Sequence, residues 1–106
     1  MFGLFKTKKS YESLSARDLD QFLSENPDAV LLDVRTPAEH RQHAIKKSIN
    51  IDLMSPDFMS KINKLDKEKT YVVYCRSGNR SASACGAMAS NGFTSLYNLS
   101  GGIMSY

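Results

Sequence analysis

Nowhere does the chain carry the roughly 20 consecutive apolar residues that a membrane-spanning helix needs, so no membrane partner is expected. The basic excess is small. The net charge is +3, and Lys6, Lys8 and Lys9 in the opening segment account for it numerically. A nucleic-acid surface requires a clustered basic face interleaved with stacking aromatics; none is visible, so no nucleic acid is expected as a partner. Histidine is limited to His40 and His43 on one polar segment. Nothing beside them resembles a metal-ligand cluster or a triad, so no metal and no cofactor are expected. Cysteine occurs twice, at Cys75 and Cys85, too sparsely for a disulfide framework. Ten residues apart, on a loop and the helix after it, both are expected to stay reduced thiols. The segment Met1–Phe5 is too short for a signal-peptide core and precedes the lysines instead of following them. The expected location is therefore the cytoplasm.

What is present is enough for one compact unit. The 106 residues, 42% of them hydrophobic, suit a single core. Residues 1–10 read as a polar lead-in and residues 11–106 as one domain, with no repeat or linker to divide it. Ser15 with Asp18 has the form of a capping box before a helical stripe of Leu19, Phe22 and Leu23, which Asn26-Pro27 ends. Val30–Val34 is an unbroken apolar run of the kind covered on both faces of a sheet, and Ser48–Ile51 is a shorter strand. Ser55-Pro56 looks like the start of a helix with Phe58, Met59, Ile62 and Leu65 on its buried side. Tyr71–Tyr74 is another buried strand. A helix over Ala82–Asn91 ends at Gly92, and Ser95–Leu99 is the last strand. Strands alternating with helices predict an α/β fold: a central parallel sheet of about five strands with helices on both faces.

In such sheets ligands bind beyond the carboxyl ends of the strands, and Cys75 stands there, directly after Tyr71–Tyr74. An ordinary thiol titrates near about 8.5 and is mostly protonated at neutral pH. Three features of the segment Cys75–Ser81 favour its thiolate. A helix opening around Arg80-Ser81 aims unpaired amides at the sulfur. Arg76 and Arg80 add fixed positive charge, and Gly78 allows a turn with inward-facing amides. Ser81 can cap the helix or donate to the sulfur. A purely structural cysteine would not explain two arginines and a glycine so close by. Cys85 lies among Ala82, Ala84, Met88 and Ala89 and reads as core packing, with a resolving thiol for oxidised Cys75 as the lesser alternative.

With these residues in view, the chain from about Ser15 to Gly102 resembles the rhodanese-like sulfurtransferase family in its single-domain form. Leu32-Asp33-Val34-Arg35 with Pro37, Glu39 and Ile49-Asn50-Ile51 is similar to the family's N-terminal signature. Tyr74–Ser81 is similar to its catalytic loop, Ala84-Cys85 and Gly92-Phe93 to the helix and turn that follow, and Leu99–Gly102 to its C-terminal element. There are departures. His43-Ala44-Ile45 stands where the family commonly has Gly-His-Ile, and Lys47-Ser48 where Gly-Ala is common. Tyr106 stands in for a tryptophan.

The resemblance implies a ping-pong sulfurtransferase. Cys75 is the catalytic nucleophile; it takes sulfur from a small anionic donor such as thiosulfate, becomes a persulfide, and passes that sulfur to cyanide or a thiol acceptor, small molecule or protein. Arg76, Ser77, Gly78, Asn79, Arg80 and Ser81 bind the substrate and the persulfide. Asp33, Arg35 and Glu39 read as structural, in an ion pair or turn anchor. A cysteine phosphatase or arsenate reductase is disfavoured, because such loops follow Cys-x5-Arg and only four residues separate Cys75 from Arg80 here. A docking module that has lost its cysteine is disfavoured by Cys75, Gly78 and both arginines. A persulfide carrier serving a partner protein stays open.

Overall fold

The computed structural model describes residues 10–106; the lysine-bearing part of the lead-in falls outside the described residues. Five strands form one sheet: β1 Glu12–Ser15, β2 Val30–Asp33, β3 Ile49–Asn50, β4 Thr70–Tyr74 and β5 Ser95–Ser100. Their order is β1-β5-β4-β2-β3, and every pairing is parallel. The helices are α1 Leu19–Glu25, α2 Pro37–Gln42, α3 Phe58–Ile62 and α4 Asn79–Ser90. This is the α/β architecture that the alternation of elements predicts.

Side chains on a strand alternate between faces, and the core divides accordingly. Leu31, Val72, Tyr74 and Leu99 pack with Ala16 and Leu19 on the α1 side. Leu32, Val73 and Leu96 pack with Phe58 and Ile62 of α3 and with Ala84, Cys85 and Met88 of α4 on the other. Both faces of β2 and β4 are therefore buried, which is why their sequences read as continuous apolar runs. Among the described residues, no helix is long and apolar enough to cross a membrane.

Several local expectations are corrected. At Ser15 no capping box forms: the hydroxyl donates to the Asp18 carboxylate at 2.9 Å, residues Ala16–Asp18 form a 3₁₀ turn, and α1 starts at Leu19. The helix expected at Ser55-Pro56 starts at Phe58 behind Asp57. There the Ser55 hydroxyl is taken by the Asp57 carboxylate and does not cap the helix. The helix expected from Ala82 begins earlier, at Asn79, directly on the left-handed Gly78. It closes as expected, with Gly92 at φ +95° and the Phe93 amide bonded to the Met88 carbonyl at 3.2 Å.

Among the described residues, Lys47 is the one non-glycine with positive φ, at +69°. It lies in the turn closed by the Ser48 amide on the Ile45 carbonyl. A side chain in the left-handed region costs about 1–2 kcal/mol, and glycine gives back part of that gain as chain entropy. Lys47→Gly is therefore expected to stabilise the fold by about 0.5–1 kcal/mol, read as a higher urea midpoint at unchanged slope.

Candidate active site

β4 lies at the centre of the sheet between β5 and β2, and Cys75 follows its carboxyl end. The chain turns back through Arg76, Ser77 and Gly78 into α4. Gly78 makes the turn possible with φ +112°, a conformation a side chain would strain. Its consequence is a cradle around the sulfur. The Cys75 Sγ accepts from the Gly78 amide at 3.1 Å, from the Ser81 amide at 3.4 Å and from the Ser81 hydroxyl at 3.4 Å.

The thiol itself is only 1% exposed. Burial, the largest single influence, resists ionisation; the Ser81 hydroxyl and the amides of Ser81, Gly78 and Ser77 together outweigh it and pull Cys75 below the ordinary thiol range. Donors aimed at a sulfur anion stabilise it before any substrate arrives.

The Ser81 hydroxyl carries one proton and three acceptors lie in reach. Besides Sγ these are the Gly78 carbonyl at 3.1 Å and the Asn98 side-chain oxygen. Asn98 comes from β5, is buried, and donates to the Gly78 carbonyl at 3.2 Å. It holds both the loop and the serine, and the sequence reading overlooked it. A polar residue flanked by buried Leu96 and Leu99 was the available signal.

A second support comes from the C-terminal turn. The Ile103 amide bonds the Cys75 carbonyl at 2.9 Å and the Met104 amide bonds the Arg76 carbonyl at 3.1 Å. In a trans peptide the carbonyl and the following N–H point in opposite directions. Tying these two carbonyls to the C-terminal turn therefore sends the amides of Arg76 and Ser77 toward the opposite side of the loop. Gly102 makes the approach close enough: a Cβ there would sit 2.3 Å from the Arg76 oxygen.

The two arginines divide. Arg80 does not lie free beside the sulfur; it makes a bidentate pair with Glu39 at 2.8 and 3.0 Å. Arg76 is exposed, and no ion pair to it occurs among the described residues. Ser77 and Asn79 are exposed on the rim.

Glu39 also closes a capping box on α2: its carboxylate accepts from the Thr36 amide at 3.0 Å and its own amide donates to the Thr36 hydroxyl at 3.2 Å. This helix and its role as a clasp to α4 were not read from the sequence, although Thr36-Pro37-Ala38-Glu39 has the pattern. The Arg80 hydrogen bonds, reinforced by Thr36, bring Glu39 down from 4.5 to about 2. A depressed carboxyl contributes stability that is present above about 4.5 and fades as the pH falls toward 2. The Glu39 and Arg80 side chains are 30% and 31% exposed, so solvent screening limits the contribution to about 1 kcal/mol. Glu39→Gln is expected to lose that amount at neutral pH and to approach the parent protein in stability at acid pH, measured by urea unfolding at both.

Asp33 and Arg35 form a buried pair at 2.7 Å, as the ion-pair reading anticipated. His40 joins it through Nδ1 at 2.9 Å from Asp33, and Asn50 donates to the Asp33 and Arg35 carbonyls. This network anchors the turn after β2. Burial pushes the Cys85 thiol up to about 12, and its side chain belongs to the apolar core. Both cysteines are free.

Comparison with known proteins agrees with this geometry. The family profile of the rhodanese-like domain matches residues 15–106. A sulfurtransferase of Allochromatium vinosum is 36% identical over 94 residues, 88% of this chain and 85% of that protein. A tRNA uridine(34) hydroxylase of Cytophaga hutchinsonii is 33% identical over 94% of this chain, which spans only 33% of that longer protein. The crystal structure of a rhodanese-related protein from Thermoplasma volcanium superposes with a TM-score of 0.74 at 36% identity, covering 90% of this chain and 89% of that one. On the matched profile, this relative and the shared fold, the chain belongs to the rhodanese-like domain family.

Proposed function

We propose that this protein is a sulfurtransferase working through a persulfide on Cys75. The observation that carries the reading is the cradle: a sulfur bonded by the Gly78 and Ser81 amides, with the Ser81 hydroxyl in reach at 3.4 Å. Such a site keeps a sulfur anion ready without a neighbouring base. The Cys75 thiolate attacks the outer sulfur of thiosulfate; a new S–S bond forms, the donor's S–S bond breaks, and sulfite leaves with the electron pair. The terminal sulfur of the persulfide is again an anion, and the loop amides from Arg76 to Ser81 hold it. The Ser81 hydroxyl turns from Asn98 toward the charge. Arg76, which pairs with no carboxylate among the described residues, attracts the anionic donor, while Arg80 is held by Glu39 and shapes the loop.

A thiol or cyanide then takes the outer sulfur and returns Cys75 to its thiolate. No cofactor or metal enters either step. Two free thiols suit a reducing compartment such as the cytoplasm. Phosphate chemistry is less well supported, because the arginine a phosphate would need is clasped by Glu39. The test is direct: protein incubated with thiosulfate gains the mass of one sulfur atom and releases sulfite. Hydrolysis of an aryl phosphate with no sulfur adduct would overturn the reading.

A further inference from the structure

Asn98 reaches the cradle from β5 and is 7% exposed, beside the fully buried Ser81. Its amide can face only one way. The Gly78 carbonyl accepts and cannot donate, so the group 3.2 Å from it is the Asn98 Nδ2. The Asn98 Oδ1 is thereby turned to the Ser81 hydroxyl. That oxygen can only accept, and its one donor among the described residues is Ser81. The Gly78 carbonyl, by contrast, also accepts from the Ala82 amide at 3.1 Å. Ser81 has a single hydroxyl proton to give, and its oxygen lies closer to Oδ1 than to the Cys75 Sγ at 3.4 Å.

Two arrangements follow. With Cys75 protonated, its S–H can lie against the Ser81 oxygen while the hydroxyl donates to Asn98, and every group has a partner. When Cys75 ionises, its proton leaves to solvent and the Ser81 hydroxyl turns to the sulfur. Oδ1 then stays buried without a donor, which is costly in an interior. We propose that Asn98 is a positioning residue that competes with Cys75 for the Ser81 proton and so restrains ionisation of the thiol. The inference deepens the sulfurtransferase reading above and rests on it for its purpose. A thiol attacks best when it titrates near the ambient pH, because nucleophilicity falls as the thiolate becomes more stable. The loop amides favour the anion at all times; the hydroxyl does so only against the pull of Asn98.

The charges around the loop stand outside this contest. Arg80 of α4 adds its positive field toward the sulfur and is paired with Glu39 of α2. Asp33, at the end of β2, is paired with Arg35 and with His40 of α2, and Arg76 is exposed. Among the described residues, the side-chain bonds of Ser81 and Asn98 go to each other, to Cys75 and to Gly78.

Asn98→Leu, close in size and without the acceptor, tests the competition through the pH dependence of alkylation by iodoacetamide, followed by intact mass. Cys85, pushed up to about 12 by burial, does not compete for the reagent. The midpoint is expected to fall by about 0.5–1 pH unit, and the limiting rate of the thiolate by about 2-fold. In a Ser81→Ala background the same substitution is expected to move the midpoint by less than about 0.2 unit, because no proton is left to contest. Asn98→Ala is expected to give the same downward shift, should leucine prevent folding. A purely structural Asn98 predicts the opposite sign, since loss of its bond to Gly78 would loosen the amides and raise the midpoint. A rise, an unchanged midpoint, or a fall that persists with Ser81→Ala would overturn the inference. Sulfur uptake from thiosulfate is read separately on the parent protein, and its failure would overturn the persulfide reading instead.

Discussion

Cys75→Ser is expected to take up no sulfur from thiosulfate and to lose turnover by at least about 10³-fold, while keeping its fold. The serine hydroxyl sits in the same place, and the Gly78 and Ser81 donors still face it. Those donors offset part of the cost of ionising a thiol; an alcohol starts from a far higher pKa, and the same cradle leaves it protonated. Serine is also nearly isosteric, and its oxygen finds those donors, so unfolding free energy is expected to stay within about 1 kcal/mol. Intact mass after thiosulfate treatment and urea unfolding check the two halves separately. A sulfur adduct that persists in this variant would place the acceptor atom elsewhere, and the alternative thiol, Cys85, is held protonated by burial at about 12.

Gly102→Ala is expected to be the most damaging glycine-to-alanine change among the described residues. Gly102 has φ +62° and ψ −163°, a region almost confined to glycine. The added Cβ would lie 2.3 Å from the Arg76 oxygen, 2.4 Å from the Arg76 carbonyl carbon and 2.6 Å from the Cys75 oxygen. These are backbone atoms of the cradle, tied at the same time by the Ile103 and Met104 amides. Relief requires the C-terminal turn to swing away, which frees the Cys75 and Arg76 carbonyls and lets the loop amides rotate off the sulfur. A loss of at least about 3 kcal/mol in stability and about 10²-fold in turnover is expected. The raised thiol pKa would appear as an alkylation rate that needs higher pH. Gly101→Ala is the comparison: it too is strained, at φ +80° with its Cβ 2.4 Å from the Ser105 Oγ and 2.9 Å from the Ser105 Cβ, but the atoms it meets are not those of the cradle. Equal behaviour of the two variants, with full turnover, would show that the C-terminal turn does not set the loop.

The elements legible in the sequence were those with one dominant local cause. Val30–Val34 and Tyr71–Tyr74 are buried on both faces, so their apolar runs mark them as central strands. Gly78, with its positive φ, and Gly92 act through backbone conformation alone. Edge strand β1 escaped because its residues Glu12 and Ser13 are exposed and its pairing is with β5, at the far end of the chain. Helix α2 escaped because it buries no residue and shows no apolar stripe; its cap is the whole of its signal.

By itself, then, the sequence determined the class of fold, the sulfur proposed as nucleophile and the inward turn of the loop around it. These follow from periodicity, from residue chemistry and from a glycine where the backbone needs one, all of which act over a few neighbouring residues. The tertiary structure decided how the surrounding charges are used. Arg76 and Arg80 look equivalent along the chain, but α2 brings Glu39 from 41 residues away onto Arg80 and leaves Arg76 without an ion pair among the described residues. Asn98 reaches Ser81 from β5, and the turn at Gly102 to Met104 holds the carbonyls of Cys75 and Arg76. Each of these partnerships depends on chain crossings that bring distant segments within hydrogen-bond reach, and a hydrogen bond between distant segments leaves no mark on the spacing of the residues that make it.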